Sequence, residues 1–152
     1  MNVLAELQEC LGRSGTVQQK LQAAAAMLRA SGNYRWVGLY VVNHEKGLLR
    51  NLVWDGPSAP EFPEFPIDKG LTGRAVATRK TVNVGDVNRD ADYLTALTTT
   101  KSEIIVPIFD DSGRVVGTID VESGSQNAFT AQKQALLEEC ARLLWPLWAA
   151  GS

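Results

Sequence analysis

The chain has 152 residues, a net charge of −2, 45% hydrophobic and 21% charged residues, and a pI near 5.4. That length gives one ordinary domain with a substantial core, and the composition excludes a disordered chain. The mild acidity makes no electrostatic case for nucleic acid or an anionic membrane, and no apolar run approaches the roughly 20 residues of a membrane span.

Met1-Asn2-Val3-Leu4-Ala5-Glu6 has no basic region ahead of an apolar core, so it does not read as a secretory signal, and a cytoplasmic protein is expected. Residues 2 to 12 predict a short helix with Val3, Leu7, Cys10 and Leu11 along one side. Ser14 or Thr16 caps a second helix from about Val17 to Ala30 that ends at Gly32, with Val17, Leu21, Ala24 and Leu28 as its stripe. Tyr34 to Val42 is β-branched and aromatic and predicts a strand. Alternation puts Val37, Leu39 and Val41 on one face and Trp36, Gly38 and Tyr40 on the other. Asn43 to Gly47 reads as a hairpin loop and Leu48 to Trp54 as the returning strand. Pro57, Pro60, Pro63 and Pro66 make residues 55 to 66 an extended loop or a sheet edge, because proline cannot donate into a ladder.

Gly70 to Arg74 turns into a short helix through about Arg79, and Thr81 to Val84 forms a brief strand. Asp86 to Asp90 is loop, followed by a helical turn at Ala91 to Leu97 and by Thr98-Thr99-Thr100. Ser102 to Phe109 is a strand in which Pro107 demands an edge or a bulge. The turn Asp110-Asp111-Ser112-Gly113 opens the last strand, where Val115, Gly117, Ile119 and Val121 share an apolar face and Val116, Thr118, Asp120 and Glu122 share the other. Thr130 caps a long helix to about Trp148, with Leu136, Cys140, Leu143, Leu144 and Leu147 on one side, and Pro146 bends or ends it. Trp145, Leu147 and Trp148 are either core or a patch where terminal helices meet a partner. Tight hairpins imply antiparallel pairing, so this order predicts a two-faced α+β domain with the terminal helices on one sheet face.

Asp120 and Glu122 stand at i and i+2, about 7 Å apart on a strand. Acids are depleted in strands and are rarely buried unpaired, so two on one face ask for an explanation. Their separation falls within that of inverting glycosidases, but every strand produces it, which makes it weak support for a hydrolase. Glu103, Asp120 and Glu122 would suit a hard cation. No histidine accompanies them, His44 falls in a hairpin loop, and neither a metal nor a cofactor is predicted. Cys10 and Cys140 are the only cysteines. They lie far apart without a CxxC spacing, on apolar stripes that suit buried inert thiols. Gly70 to Arg74 lacks the Walker lysine pattern and reads as a turn opening a helix, not a phosphate site.

Four segments in order carry a resemblance: Tyr34-Arg35-Trp36-Val37-Gly38-Leu39-Tyr40, Gly70-Leu71-Thr72-Gly73-Arg74-Ala75-Val76-Ala77, Ser102-Glu103-Ile104-Ile105-Val106-Pro107-Ile108 and Val116-Gly117-Thr118-Ile119-Asp120-Val121-Glu122-Ser123. Together they resemble a GAF domain, and more narrowly the branch containing free methionine-(R)-sulfoxide reductases, over nearly the whole chain. The resemblance implies a single domain over 1–152: N-terminal helices in 1–32, a six-stranded antiparallel sheet and pocket in 33–128, and a C-terminal helix in 129–150. Terminal helices would cover one sheet face and a ligand pocket the other. In the reductases that pocket holds a free amino acid, using a Trp and a Tyr from the first strand and carboxylates from the last two long strands. Those positions fall on Trp36, Tyr40, Glu103, Asp120 and Glu122. The last is usually aspartate in that branch, so Glu122 lengthens the reach. Three acids and two aromatics suit an ammonium group, through salt bridges and cation–π contact, and clustered carboxylates raise one another's pKa values.

Reductases of that branch also carry a cysteine in the glycine-rich turn and a catalytic cysteine before Ser-Glu-Ile. The matching places are Thr72 and the stretch around Ala96, and neither is cysteine. Sulfoxide reduction needs an attacking thiolate and a resolving thiol, and Cys10 and Cys140 are expected on the opposite sheet face. Cyclic-nucleotide-binding GAF domains carry an acidic pair after a phenylalanine, but Phe129 here is followed by Thr130-Ala131-Gln132-Lys133-Gln134. Bilin attachment would need a pocket cysteine, also absent. The expectation is a small-molecule-binding GAF domain for a cationic or zwitterionic metabolite such as a free amino acid. Trp36 and Tyr40 would cover its apolar or cationic part, and Thr98, Thr99 and Thr100 would close over its other end. No nucleic-acid or membrane partner is expected. A homodimer through the terminal helices stays open. So do a divergent reductase using Cys10 or Cys140 and a dimerisation module with a vestigial pocket.

Overall fold

Helices form where the sequence supplies both a cap and a stripe. The computed structural model describes residues 2–91, 93 and 99–151. In helix α1 (Val3–Gly12) the Asn2 side chain accepts from the Ala5 N–H, and Val3, Leu7 and Cys10 are buried. Helix α2 (Val17–Gly32) opens on a capping box: the Thr16 hydroxyl accepts from the Gln19 N–H, and the Gln19 side chain accepts from the Thr16 N–H. Thr16 therefore fills the capping role for which Ser14 was the alternative.

Strands β1 (Trp36–Asn43), β2 (Leu48–Asp55), β3 (Glu64–Pro66), β4 (Val82–Val84), β5 (Ser102–Phe109) and β6 (Val115–Ser123) form one six-stranded sheet in the order β3-β2-β1-β6-β5-β4. Every pairing is antiparallel. The proline-rich segment ends in β3 at the sheet edge, as the missing donors require. Pro107 is accommodated because β4 pairs only with Glu103, Ile104 and Ile105, which leaves β5 open on one side beyond them.

Helices α1 and α2, with α4 (Ala131–Leu144) and α5 (Pro146–Gly151), cover one sheet face. Leu7, Leu28, Leu137 and Leu144 pack there against Val37, Leu39, Ile104, Ile119 and Val121. Helix α3 (Gly70–Thr78) lies on the other face, where Leu71 and Ala75 meet Val82 and Ile105. Among the described residues, no helix is long and apolar enough to cross a membrane. The expected helical turn at Ala91 to Leu97 falls largely outside the described residues, as do the stretch around Ala96 and Thr98.

Two β-bulges correct the simple alternation. On β6, Ile108 pairs with Gly117 but Phe109 pairs with Val115, so Val116 is an extra residue. Val115 consequently packs on the α3 face with Val42 and Val76, whereas Val116 packs toward the helical core. The expected grouping of Val115 with Gly117, Ile119 and Val121, and of Val116 with Thr118, Asp120 and Glu122, fails for Val115 and Val116, because an inserted residue reverses the side on which the strand resumes. On β2, Leu39 pairs with Val53 and Tyr40 with Asn51, so Leu52 is extra, and the Asn51 amide donates to the Leu39 and Val53 carbonyls beside it. In α4 the buried stripe is Leu137, Cys140, Ala141 and Leu144. Leu136, expected on that stripe, is 36% exposed. The face is rotated by one residue because the cap and the sheet, not the leucines alone, fix the helix's orientation.

Candidate functional site

On the face opposite the terminal helices, β1, β6 and β5 bring five side chains to one place. Trp36 pairs across with Glu122, and Glu122 with Glu103, so these three stand in a row over adjacent strands. Gly38 pairs with Asp120 and Tyr40 with Thr118 in the next rows. Trp36, Tyr40, Glu103, Asp120 and Glu122 all line one cavity of about 30 Å³. The first turn of α3 forms part of its wall, and Pro60, Glu61 and Phe62 of the segment before β3 cover it. All five are buried.

Trp36 is clasped between two glycines. A Cβ on Gly38 would lie 2.3 Å from the indole and one on Gly56 would lie 2.4 Å from it, well inside van der Waals contact. The indole Nε1 donates to the Ser58 carbonyl at 3.0 Å, which ties the covering segment to the pocket wall. Tyr40 packs edge-on against Phe65 at 5.8 Å between centroids. Burial, with Asp120, Glu103 and Glu122 nearby, pushes the Tyr40 phenol well up, so it is a neutral donor.

The three carboxyls differ sharply in their partners. Asp120 accepts from the Thr72 hydroxyl at 2.6 Å and from the Thr118 hydroxyl at 2.7 Å, one on each oxygen. Glu122 accepts from Thr100 at 2.5 Å and from the Tyr93 hydroxyl at 3.4 Å, both on Oε1. Among the described residues Glu103 shows no such donor, and its Oε2 is buried without a hydrogen-bond partner. Burial raises Asp120 to about 7 against the pull of its two threonine donors. Burial likewise raises Glu122 to about 7, with the Asp120 charge adding to it and the Thr100 hydroxyl opposing. Glu103 is raised well above the usual carboxylate range by burial first, then by Glu122 and Asp120.

Among the described residues, no group of three or more His, Cys, Asp or Glu side chains is arranged to hold a metal ion. His44 turns its Nε2 to the Val115 carbonyl at 2.7 Å, at the β6 bulge and away from the carboxyls. Cys10 and Cys140 are buried in the helical layer, across the sheet from the cavity. Burial pushes the Cys140 thiol up to about 11, so it is not a thiolate at neutral pH.

Sequence reasoning passed over the hydroxyls. Thr118 was legible as the residue two before Asp120 on the same strand face. Thr72 marked a missing cysteine, and its bond to Asp120 spans 48 positions of sequence, which no local pattern announces. Of the threonines expected to close over the ligand, Thr100 instead donates to Glu122, and Thr99 accepts from Arg35 Nε at 3.0 Å.

A family model described as GAF domain matches residues 14–148. The chain is 28% identical over 143 residues to GAF domain-containing protein A of Dictyostelium discoideum, covering 94% of this chain and 88% of that protein. It is 33% identical over 110 residues to the free methionine-R-sulfoxide reductase of Saccharomyces cerevisiae, covering 72% of this chain and 60% of that protein. The structure of the free methionine-R-sulfoxide reductase from Neisseria meningitidis, in complex with its substrate, superposes with a TM-score of 0.86 at 32% identity, covering 97% of this chain and 87% of that one.

Proposed function

The chain belongs to the GAF domain family, and from that premise we propose that it is a sensory or regulatory domain binding a cationic or zwitterionic metabolite of the free amino acid class. One observation carries this reading. Three buried carboxyls meet at one cavity, the Glu103 Oε2 has no partner, and among the described residues no lysine or arginine pairs with any of them. A ligand ammonium supplies the missing positive charge and several donors at once, and Trp36 and Tyr40 supply faces for cation–π contact. A cavity of about 30 Å³ has room for little more than a water molecule. An amino acid therefore enters only if Pro60, Glu61 and Phe62 move outward.

Calorimetry with free methionine, its sulfoxides and simple amines tests the reading at pH 6 and pH 8.5. An ammonium needs ionised carboxylates, and Asp120 and Glu122 ionise near 7, so binding is expected to tighten as pH rises through that value. Asp120→Ala is expected to weaken it by about tenfold or more, the worth of one charge-assisted hydrogen bond. The opposite pH dependence would mean that protonated carboxyls donate to a ligand oxygen, and would overturn the amine assignment. Absence of binding to every compound would remove the ligand class.

Two alternatives have their own tests. A divergent reductase would have to use Cys10 or Cys140, so thioredoxin-coupled turnover of methionine sulfoxide must be present and must vanish in a Cys10→Ser/Cys140→Ser variant. A dimerisation module with a vestigial site is favoured by the small cavity and by the exposure of Leu136 on α4. It predicts a dimer by light scattering, through the terminal helices, together with no ligand binding.

A further inference from the structure

The three carboxyls of the cavity are served unequally by hydroxyl donors, and the donors come from elements far apart in sequence. Asp120 is held on both oxygens, by Thr72 from the first turn of α3 and by Thr118 from its own strand. Glu122 is held on one oxygen only, by Thr100 and more distantly by Tyr93. Glu103 faces Glu122 directly across β5 and β6, and among the described residues its buried Oε2 has no partner. A hydroxyl that donates to a carboxylate stabilises the ionised form, and three like charges in one small cavity cannot all ionise freely.

We infer that Thr72 is a positioning residue of this site: its hydroxyl, together with that of Thr118, fixes Asp120 as the ionised acceptor and leaves the proton of the cluster on Glu103. The inference deepens the binding reading above and rests on it for its purpose, since an ammonium would then be received by Asp120 while Glu103 releases its proton to water. Among the described residues, the titratable groups around Asp120 are Tyr40 from β1, Glu103 from β5, Glu122 from β6 and Glu61 from the covering segment, with Tyr93 beyond them beside Glu122. None of them is a cation. The nearest cation along α3, Arg74, is held in an ion pair with Asp90 at 2.8 Å. Thr72 is thus the one contribution of α3 to the charge state of Asp120 that the structure displays.

The test is a side-chain carboxyl titration by carbon-13 NMR on the ligand-free protein. In the wild type, Asp120 is expected to ionise first and Glu103 last. Thr72→Val, which keeps the volume and removes the donor, is expected to raise the Asp120 midpoint by about one pH unit, and Thr72→Ser is expected to move it by no more than a few tenths. A merely structural role would lower thermal stability in the valine variant without moving that midpoint. An unmoved Asp120 midpoint in Thr72→Val overturns the inference. So does a wild type in which Glu103 ionises before Asp120, which decides the matter even if the valine variant does not fold. No ligand enters this titration, so its failure is distinct from a failure of amines to bind. Where amines do bind, Thr72→Val is expected to weaken them about fivefold at pH 7 and by less than about 1.5-fold at pH 8.5, the ratios that a midpoint moved up by one pH unit from about 7 implies.

Discussion

Glu103→Gln is expected to raise the stability of the ligand-free protein at pH 8 and to leave it nearly unchanged at pH 5. Asp120 and Glu122 ionise near 7 in the folded protein, against ordinary values of 3.8 and 4.5. Glu103 is raised in the same direction. A raised carboxyl means that the folded state binds protons the unfolded chain has already released, so the stability this contributes is complete below about pH 4 and is lost as pH rises to about 7. Each pH unit of that window is worth about 1.4 kcal/mol per group. Urea denaturation should therefore find the ligand-free protein a few kcal/mol less stable at pH 8 than at pH 5. Glu103, whose Oε2 has no hydrogen-bond partner among the described residues, must at pH 8 either hold a proton that the unfolded chain has released or add a third like charge, and replacing it removes that cost, so a gain on the order of 1–3 kcal/mol at pH 8 is expected. In a domain of this size that corresponds to a rise in Tm of roughly 3–10 °C. Equal stability at the two pH values, or a loss in Glu103→Gln at pH 8, would contradict this account of the cavity. The same variant should bind amines less tightly, which is the usual exchange of stability for function at a strained site.

Gly117→Ala is expected to be among the most destabilising single substitutions in the chain. A Cβ there would stand 2.4 Å from the Tyr40 carbonyl oxygen and 2.1 Å from the Trp148 indole nitrogen. The first of these is backbone in the middle of the sheet and cannot yield. The second belongs to the bond by which Trp148 Nε1 donates to that same Tyr40 carbonyl at 2.9 Å. That buried bond fastens α5 to β1, directly behind a strand whose Tyr40 ring lines the cavity. Overpacking plus loss of the hydrogen bond is expected to cost about 3 kcal/mol or more, and Trp148→Ala about 3–5 kcal/mol. The two losses should overlap in the double variant, because both remove the same bond. A Gly117→Ala protein within about 0.5 kcal/mol of wild type would show that the indole docks there without needing the glycine.

The Trp148 contact also settles which of two readings of the C-terminal aromatics holds. Leu147 and Trp148 are core, and only Trp145 remains half-buried. Pro146 separates α4 from α5 because it cannot supply the N–H that a continuous helix needs, while suiting the first position of a new one.

Much was decided by the sequence alone. Alternation put Trp36 with Tyr40 on one face of β1 and Asp120 with Glu122 on one face of β6, since successive side chains on any strand must oppose each other, and the antiparallel pairing of β1 with β6 made those faces one. The four prolines between Pro57 and Pro66 restricted that segment to a cover and an edge strand, because missing donors bar it from the sheet interior. Thr16, with Ser14 as its alternative, and Thr130 marked helix starts through chemistry that acts within three residues. The tertiary structure decided what depends on distant partners. The bulges at Leu52 and Val116 arise from pairing register, so Val115 changed faces without any local signal. The orientation of α4 followed from its packing on the sheet, which left Leu136 exposed. The inequality of the three carboxyls is the largest such case. Asp120, Glu122 and Glu103 are alike in sequence, and beyond the neighbouring Thr118 it is the approach of Thr72 and Thr100 from other elements that distinguishes the charge each can hold.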